Sequence, residues 1–409
     1  MAFRMVPGGR FVLGVARRLR NRTLRGPAIG RCGTGGCGAL LFSNLQRISA
    51  SLRRPTTSLA TSLATDDRSG AILREAWYFA VPGSRVRVGK LLAKRLFGEQ
   101  LLLGRDHAGH VFALRDRCPH RAIPLSFGQF DGREIECCYH GWRFAPDGGC
   151  TGIPSLASGQ SLDLSKIRVR AFPAREVQGN IWVYGGDDPA GAPEIPYLPE
   201  MGERRASLIE TMPFPGAIDH AVTGLMDPAH GPFVHRSWWW RSRRSIHEKE
   251  KAFAPSPWGF TMLPHAPSRN SRAYKLVGGK PETTIEFRLP GVRIERIRTA
   301  RHTLLNMTAV TPIGKDESEV NHLIYWTMPW LTAMRPLLRP LARAFLRQDR
   351  DIMERQRIGL AGDPPLLLIS DADVQARWYY RLKAEYLRAR AEGREFQNPL
   401  KPRVLRWRS

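Results

Sequence analysis

Acidic residues are scarce in this 409-residue chain: 37 Asp and Glu stand against 63 Lys and Arg, for a formal net charge of +26. Long apolar runs are missing as well, and none reaches the ~18 residues a membrane-spanning helix requires. The six cysteines follow no regular spacing, which argues against an extracellular disulfide framework. No glycine-rich dinucleotide fingerprint is present. Nor is there a helix-turn-helix, a finger repeat or an aromatic RNA-binding signature, so the positive balance is not read as a nucleic-acid interface. A field of this sign suits an acidic redox partner or an acidic substrate instead.

The shortage of acid is complete in the first 65 residues, which hold eleven Arg, no Lys and no Asp or Glu. Their +11 accounts for much of the formal +26 and leaves +15 on the remainder. An Arg- and Ser-rich segment without acid is similar to an organelle transit peptide, and equally to a disordered tail or to sequence upstream of a misassigned start. Residues 1–69 are therefore expected to form a disordered extension without a catalytic role. Cys32 and Cys37 lie within it, with no second ligand pair to make a metal site. The hydrophobic content of 42% supports folded cores in the rest, and the length suits about two domains. Short strand-like runs such as Gln100–Leu103, His110–Leu114, Ile135–Cys138 and Asn180–Tyr184 predict a small antiparallel β domain over 70–188. The turn-rich Asp187-Asp188-Pro189-Ala190-Gly191 marks the boundary. The second domain, 189–409, mixes strand-like runs at Thr283–Arg288, Val292–Arg296 and Glu319–Thr327 with a helix over about 343–359. The prolines Pro336 and Pro340 argue against one clean helix across Leu331–Leu346, a basic amphipathic stretch suited to peripheral membrane contact.

Chemistry concentrates in two places. The first reads Cys118-Pro119-His120, then Cys137-Cys138-Tyr139-His140. Two thiolates on one iron and two imidazoles on the other hold a Rieske 2Fe-2S centre, whose outer iron is raised in potential by the imidazoles. The rival is structural zinc, but zinc fingers pair Cys with Cys and His with His, whereas each half here contributes one of each. Cys137 is taken as the ligand and Cys138 as its packed neighbour. Trp142 and Phe144 are placed to cover the centre. The second place is Asp227-Pro228-Ala229-His230-Gly231-Pro232-Phe233-Val234-His235. Two His and a carboxylate with open positions make the facial triad of non-haem iron oxygenases. His230 and His235 would sit about 140° apart on an ideal helix, so sharing a metal requires a break, which Gly231-Pro232 is expected to supply.

Together, Cys118-Pro119-His120-Arg121-Ala122, Pro124-Leu125-Ser126, Cys137 with Tyr139-His140-Gly141-Trp142, and the downstream histidine pair resemble the large (terminal oxygenase) subunit of the Rieske non-haem iron oxygenases of the aromatic-ring-hydroxylating type. The resemblance implies an α+β chain: an N-terminal all-β Rieske domain, then a helix-grip (START-like) catalytic domain with a curved antiparallel sheet and helices. It implies a 2Fe-2S cluster on Cys118, His120, Cys137 and His140, and a mononuclear Fe(II) on His230, His235 and an acid in Phe345–Asp351. Asp349 is the choice it favours, with Asp351 second. Asp227 is implied to bridge the two metal sites across a subunit boundary, between His140 and His230; capping a helix is its alternative. The family often places an acid and an Asn just ahead of this Asp, where Thr223 and Gly224 stand here; Asp219 or His220 is a candidate substitute.

By the same resemblance the chain is a homotrimeric terminal oxygenase fed by an NAD(P)H-dependent reductase, with or without a ferredoxin. It would use dioxygen to hydroxylate, demethylate or desaturate an apolar organic molecule, aromatic ones included, in the cytoplasm, organelle targeting being left open by the extension. The competing reading is a Rieske electron carrier without a working mononuclear iron. The basic run Arg236, Arg241, Arg243 and Arg244 around Trp238, Trp239 and Trp240 is expected to line a substrate entrance or a subunit contact.

Overall fold

The computed structural model describes residues 60–62, 71–235, 246–267, 279–362 and 364–409. Cys32, Cys37 and the Arg/Trp run at 236–244 lie outside the described residues, as does most of the N-terminal extension. Within that extension, β1 (Ala60–Ser62) is a strand, where the sequence reading expects none.

The strands that follow are short and separated by Gly and Pro turns: β2 (Trp77–Pro82), β3 (Leu91–Leu96), β4 (Glu99–Arg105), β5 (Val111–Arg115), β6 (Gln129–Phe130), β7 (Ile135–Glu136), β8 (Arg143–Phe144), β9 (Cys150–Gly152), β10 (Ala171–Phe172), β11 (Ala174–Val177) and β12 (Asn180–Tyr184). They form three small sheets, ordered β10-β5-β4-β3, β11-β12-β2 and β6-β7-β8-β9, with every pair antiparallel. One apolar cluster, including Leu102, Leu114, Leu125, Ile135 and Phe144, lies under the two cysteine motifs.

Next come β13 (Leu208–Phe214), α1 (Ile218–Met226), the one-turn α2 (Gly231–Val234), β14 (Glu248–Ser256), β15 (Gly259–His265), β16 (Glu282–Arg288), β17 (Val292–Arg298), β18 (Thr303–Gly314), β19 (Glu317–Trp326), α3 (Pro329–Ala333), α4 (Arg335–Leu360), β20 (Leu367–Ile369), α5 (Val374–Glu392) and β21 (Arg403–Arg408). Eight of these strands make one antiparallel sheet, ordered β13-β19-β18-β17-β16-β15-β14-β21. β20 pairs instead with β1, Ala60 facing Ile369.

Period-2 patterning divides the faces of the large sheet. Val292, Ile294, Leu305, Met307, Leu323 and Tyr325 point to one side, against Trp77, Phe79, Trp182 and Tyr184 of the small β sheets. The intervening residues, Arg293, Glu295, Ile297, Leu304, Asn306, Thr308, His322 and Ile324, line a cavity on the other. Polar contacts lock the two parts together. Phe97 and Gly98 donate backbone N–H to Pro312 and Ile313, and Lys94 meets Glu319 at 2.7 Å.

α5 lies on the cavity side of the same sheet. Trp378 packs edge-on against Phe253 and Phe260, and Tyr379 against Phe287. Lys383 of α5 reaches Asp219 of α1 with both contacts at 2.7 Å, each side chain only 3% exposed, and Tyr379 donates its hydroxyl to the same carboxylate. Asp219 is thus committed to α5, which corrects its candidacy as a substitute for the acid and Asn ahead of Asp227.

The stretch Leu331–Leu346 is divided, as expected, but at Met334 between α3 and α4 and not at its prolines, through both of which α4 runs unbroken. Pro336 occupies the first turn, where its missing N–H has no intrahelical partner anyway. Pro340 removes one bond, to the Pro336 carbonyl, and both residues are exposed, so water can satisfy that oxygen.

Candidate metal and electron-transfer sites

Two loops built alike hold the first motif. The Cys118 N–H donates to the Ile123 carbonyl and Ala122 N–H donates back to Cys118. Likewise the Cys137 N–H donates to Trp142 and Gly141 N–H donates back to Cys137. Each loop turns at its fifth residue through a positive φ, +59° at Ala122 and +69° at Gly141. Glycine takes that conformation freely, while alanine pays about 1 kcal/mol for it. The second loop is the tip of the β7–β8 hairpin, Glu136 pairing with Arg143.

This doubling buries both thiols (Cys118 2% and Cys137 3% exposed) and brings the two imidazoles to the rim, their ring centroids 4.5 Å apart. Cys138 is exposed, which corrects the expectation that it is a packed neighbour of Cys137. Burial, with the Cys137 thiol alongside, pushes the Cys118 thiol up to about 11. Such a thiol stays protonated at neutral pH unless a cation takes the proton's place. Burial, then His120 and Arg121, lowers the His140 pKa, favouring the neutral, ligating imidazole. Trp142 stacks on His120 at 4.7 Å and 9°, covering one imidazole as its position suggests. Phe144 lies beneath in the core. The donor set of two dry thiols and two imidazoles at the rim fits a Rieske cluster.

The second motif is arranged differently from the expected kinked helix. α1 stops at Met226, Asp227 is its C-cap, and the chain restarts as α2, flanked by His230 and His235. Pro232 starts this turn rather than breaking a longer helix, as befits a residue without an N–H. α4 supplies the third group. His230 Nε2, His235 Nε2 and an Asp349 carboxylate oxygen all lie within 4.8 Å of one another. The separations are 3.2 Å between the two Nε2 atoms and 3.3 and 3.8 Å from Asp349 Oδ1 to His235 and His230. Asp351, two residues on, is exposed and outside this group.

Tautomers follow from the outer bonds. His230 Nδ1 donates to the Asp227 carbonyl at 2.7 Å, and His235 Nδ1 donates to Gln348 Oε1 at 3.0 Å. Both Nε2 lone pairs therefore face inward, beside a carboxylate. Three converging acceptors repel one another unless a cation lies among them, so the set fits a 2-His-1-carboxylate iron. His235 is also clamped flat against Phe345, 3.8 Å and 12° away. Burial pushes the Asp349 carboxyl up to about 6, although His230 and Arg293 pull the other way. The side chain is 30% accessible and lines the cavity.

Asp227 differs from its implied role in one detail. The His230 hydrogen bond goes to its main-chain carbonyl, while its carboxylate is 3.8 Å away and accepts from Ala229 N–H at 2.7 Å. Within one chain, and among the described residues, no hydrogen bond or ion pair joins Asp227 to His140. His220 lines the same cavity.

Sequence reasoning passed over Gln348 as an orienting group, although it adjoins Asp349. It also missed the polar residues of the cavity floor, Arg293, Glu295, Asn306 and His322. Their only signal was the alternation along Val292–Arg298 and Thr303–Thr308. The cavity itself encloses about 1810 Å³ and is mostly apolar.

Two expectations follow from these contacts. Gln348→Leu leaves His235 Nδ1 without its acceptor and is expected to weaken iron retention by about 10–100-fold, as equilibrium dialysis against a chelator measures. His322 is 8% exposed, and burial depresses its pKa from 6.5 to about 4. The unfolded chain binds this proton more readily, so His322 contributes stability that is full above pH 6.5 and is lost as pH falls towards 4. Urea unfolding across that range should show a slope that His322→Gln removes.

Comparison with known proteins agrees with this layout. Residues 76–173 match the Rieske 2Fe-2S domain. The chain is 34% identical over 196 residues to chlorophyllide a oxygenase, chloroplastic, of Chlamydomonas reinhardtii, covering 47% of this chain and 28% of that protein. It is 36% identical over 126 residues to 4beta-methylsterol monooxygenase of Methylococcus capsulatus, covering 31% and 34%. The aligned segments thus span about a third of these curated relatives. Among solved structures, dicamba monooxygenase bound to dicamba superimposes with a TM-score of 0.64 at 22% identity, over 78% of this chain and 99% of that one.

Proposed function

We propose, for a chain that carries a Rieske 2Fe-2S domain on the fold of a Rieske oxygenase large subunit, that it is the terminal oxygenase of a multicomponent system, oxidising an apolar organic molecule with dioxygen. The observation that carries this reading is the convergence of His230, His235 and Asp349 at the wall of a large apolar cavity. Cys118, His120, Cys137 and His140 would hold the cluster. When bound, the cluster supplies single electrons and the iron supplies oxygen activation.

The chain's own residues do the rest. Asp227 and Gln348 hold the two imidazoles in one tautomer through their Nδ1 hydrogens. Phe345 fixes the plane of His235, and Asp349 brings the one negative charge of the set. Leu304, Ile297, Ile324 and Trp326 keep water from the organic substrate. The imidazoles at the rim present an electron entry to an outside donor, for which an NAD(P)H-dependent reductase, with or without a ferredoxin, is the fitting partner. Asp227 would carry the connection to His140 of a neighbouring copy in a homotrimer; among the described residues, no hydrogen bond or ion pair joins the two within one chain. No described helix is long and apolar enough to cross a membrane; a cytoplasmic location is the proposed one.

Iron counting tests this. After anaerobic reconstitution the oxygenase binds three irons per chain and, with a reductase, forms an oxidised product from dioxygen. Two irons and no product would leave an electron carrier.

A further inference from the structure

The cavity floor carries a cation that is only half engaged. Strand register sets Arg293 of β17 in a row with Thr308 of β18 and His322 of β19. His322 packs edge-on against Phe345, ring centroids 6.5 Å apart, and Phe345 is the ring stacked on His235. Neighbouring strands lie about 4.8 Å apart, so the row spans about 10 Å from Arg293 to the strand whose histidine packs beside the metal set. Two rows on, Ile297, Leu304 and Trp326 make an apolar strip.

Arg293 Nη1 donates to Glu295 at 3.2 Å. Nε and Nη2 form the flat edge of the guanidinium, the geometry that meets carboxylate and carbonyl oxygens. Among the described residues that edge has no partner. It is not sealed either. Arg293 lines the cavity with its side chain 20% accessible, and the buried polar atoms without a partner include Asn306 Oδ1 and Arg288 Nε but no atom of Arg293. Arg296, on the opposite face of the same strand, shows the contrast: it gives Nε to Glu200 and Nη1 to Glu286, as an arginine serving the fold does. An apolar molecule that fills the cavity drives water off the Arg293 edge. A hydrocarbon leaves two cationic N–H groups stripped and unmatched, whereas an oxygen acceptor takes the place of the lost water.

We propose that Arg293 binds the substrate through Nε and Nη2, and that the substrate is an apolar molecule bearing a planar oxygen acceptor, a carbonyl or a carboxylate, whose apolar body lies along Ile297, Leu304 and Trp326. This rests on the oxygenase reading only for the word substrate; the binding preference is measured without turnover.

Three probes of one shape make the test: 2-acetylnaphthalene, 2-naphthoate and 2-ethylnaphthalene, equilibrated by dialysis with the reconstituted full chain, kept anaerobic and without reductase. The tighter of the two oxygen-bearing probes is expected to bind about tenfold or more tighter than the ethyl probe, the range of a hydrogen bond to a charged group. The acetyl and carboxylate arms separate a neutral acceptor from an anionic one. Glu295→Gln keeps the guanidinium and should keep the preference. Arg293→Met made together with Glu295→Gln strands no carboxylate, and should bring the acetyl and carboxylate affinities down to that of the ethyl probe. Equal binding of all three by the wild-type chain, tightest binding of the ethyl probe, no binding of any probe, or a preference surviving in the double variant would each overturn the inference. The wild-type comparison decides by itself should the double variant not fold. An acceptor preference in a chain that binds only two irons would sink the proposed function and spare this one, whereas three irons and a product without that preference would do the reverse.

Discussion

His230→Ala is expected to lower dioxygen-dependent product formation by about a thousandfold or more, the scale of the several kcal/mol a bound metal contributes to a reaction. The expectation comes from geometry. His230 Nε2 is 3.2 Å from His235 Nε2 and 3.8 Å from Asp349 Oδ1, with its Nδ1 hydrogen held by the Asp227 carbonyl. Removing it leaves two ligands and an unconstrained loop. The cysteine motifs lie in separate loops on separate sheets, so the visible spectrum of the reconstituted cluster should not change. Two assays decide the matter: iron per chain, expected to fall from three to two, and product per reductase turnover. A variant that keeps its product yield would show that these residues do not hold the working metal. Loss of the cluster spectrum in the same variant would instead reveal a folding defect.

The largest stability effect should come from a place remote from either motif. Lys383→Met removes the cation from Asp219, where both side chains are 3% exposed. Breaking a buried ion pair on one side leaves a charge with too little compensation, and costs about 3–5 kcal/mol. Tyr379 still donates to the Asp219 carboxylate, which softens the loss without abolishing it. Adding Asp219→Leu to Lys383→Met takes the stranded charge away and should restore most of the stability. Urea denaturation of the wild type, the single and the double variant completes the cycle. If the single variant is as stable as the wild type, α1 and α5 are joined by apolar packing alone.

The second effect bears on function because α1 leads directly to Asp227 and His230. The ion pair secures the end of α1 far from the metal set, while the Ala229 N–H donated to the Asp227 carboxylate shapes the turn that follows. Asp219, eight residues ahead of Asp227, is one of two candidates for the family's missing acid and Asn. A helix of nine residues carries it away, and α5, more than 150 residues later, claims it.

Other readings failed for similar reasons. Gly231-Pro232 was expected to break a helix; the break comes earlier, at Asp227, and Pro232 instead begins a new turn. Pro336 and Pro340 are helix breakers by local rules, yet one lies in the first turn and the other on the exposed side of α4, where those rules cost least. The hydrogen bond from His230 reaches the carbonyl of Asp227 and not its carboxylate, a choice made by backbone direction after α1 ends.

What was legible in the chain was whatever depends on neighbours in sequence. The mixed Cys/His pairs announced their cluster because each loop is closed by bonds spanning four or five residues, between Cys118 and Ile123 and between Cys137 and Trp142. The strands of the large sheet showed in their alternation, since a pleated backbone sends successive side chains to opposite faces. Asp349 came only by resemblance, because nothing local separates it from Asp351. Folding was needed to bring α4 beside α2, to turn Gln348 onto His235, and to line up Glu295, Asn306 and Ile324 across three strands. Those contacts join residues far apart in the chain, and their positions are set by sheet register and helix packing, which no short stretch of sequence encodes.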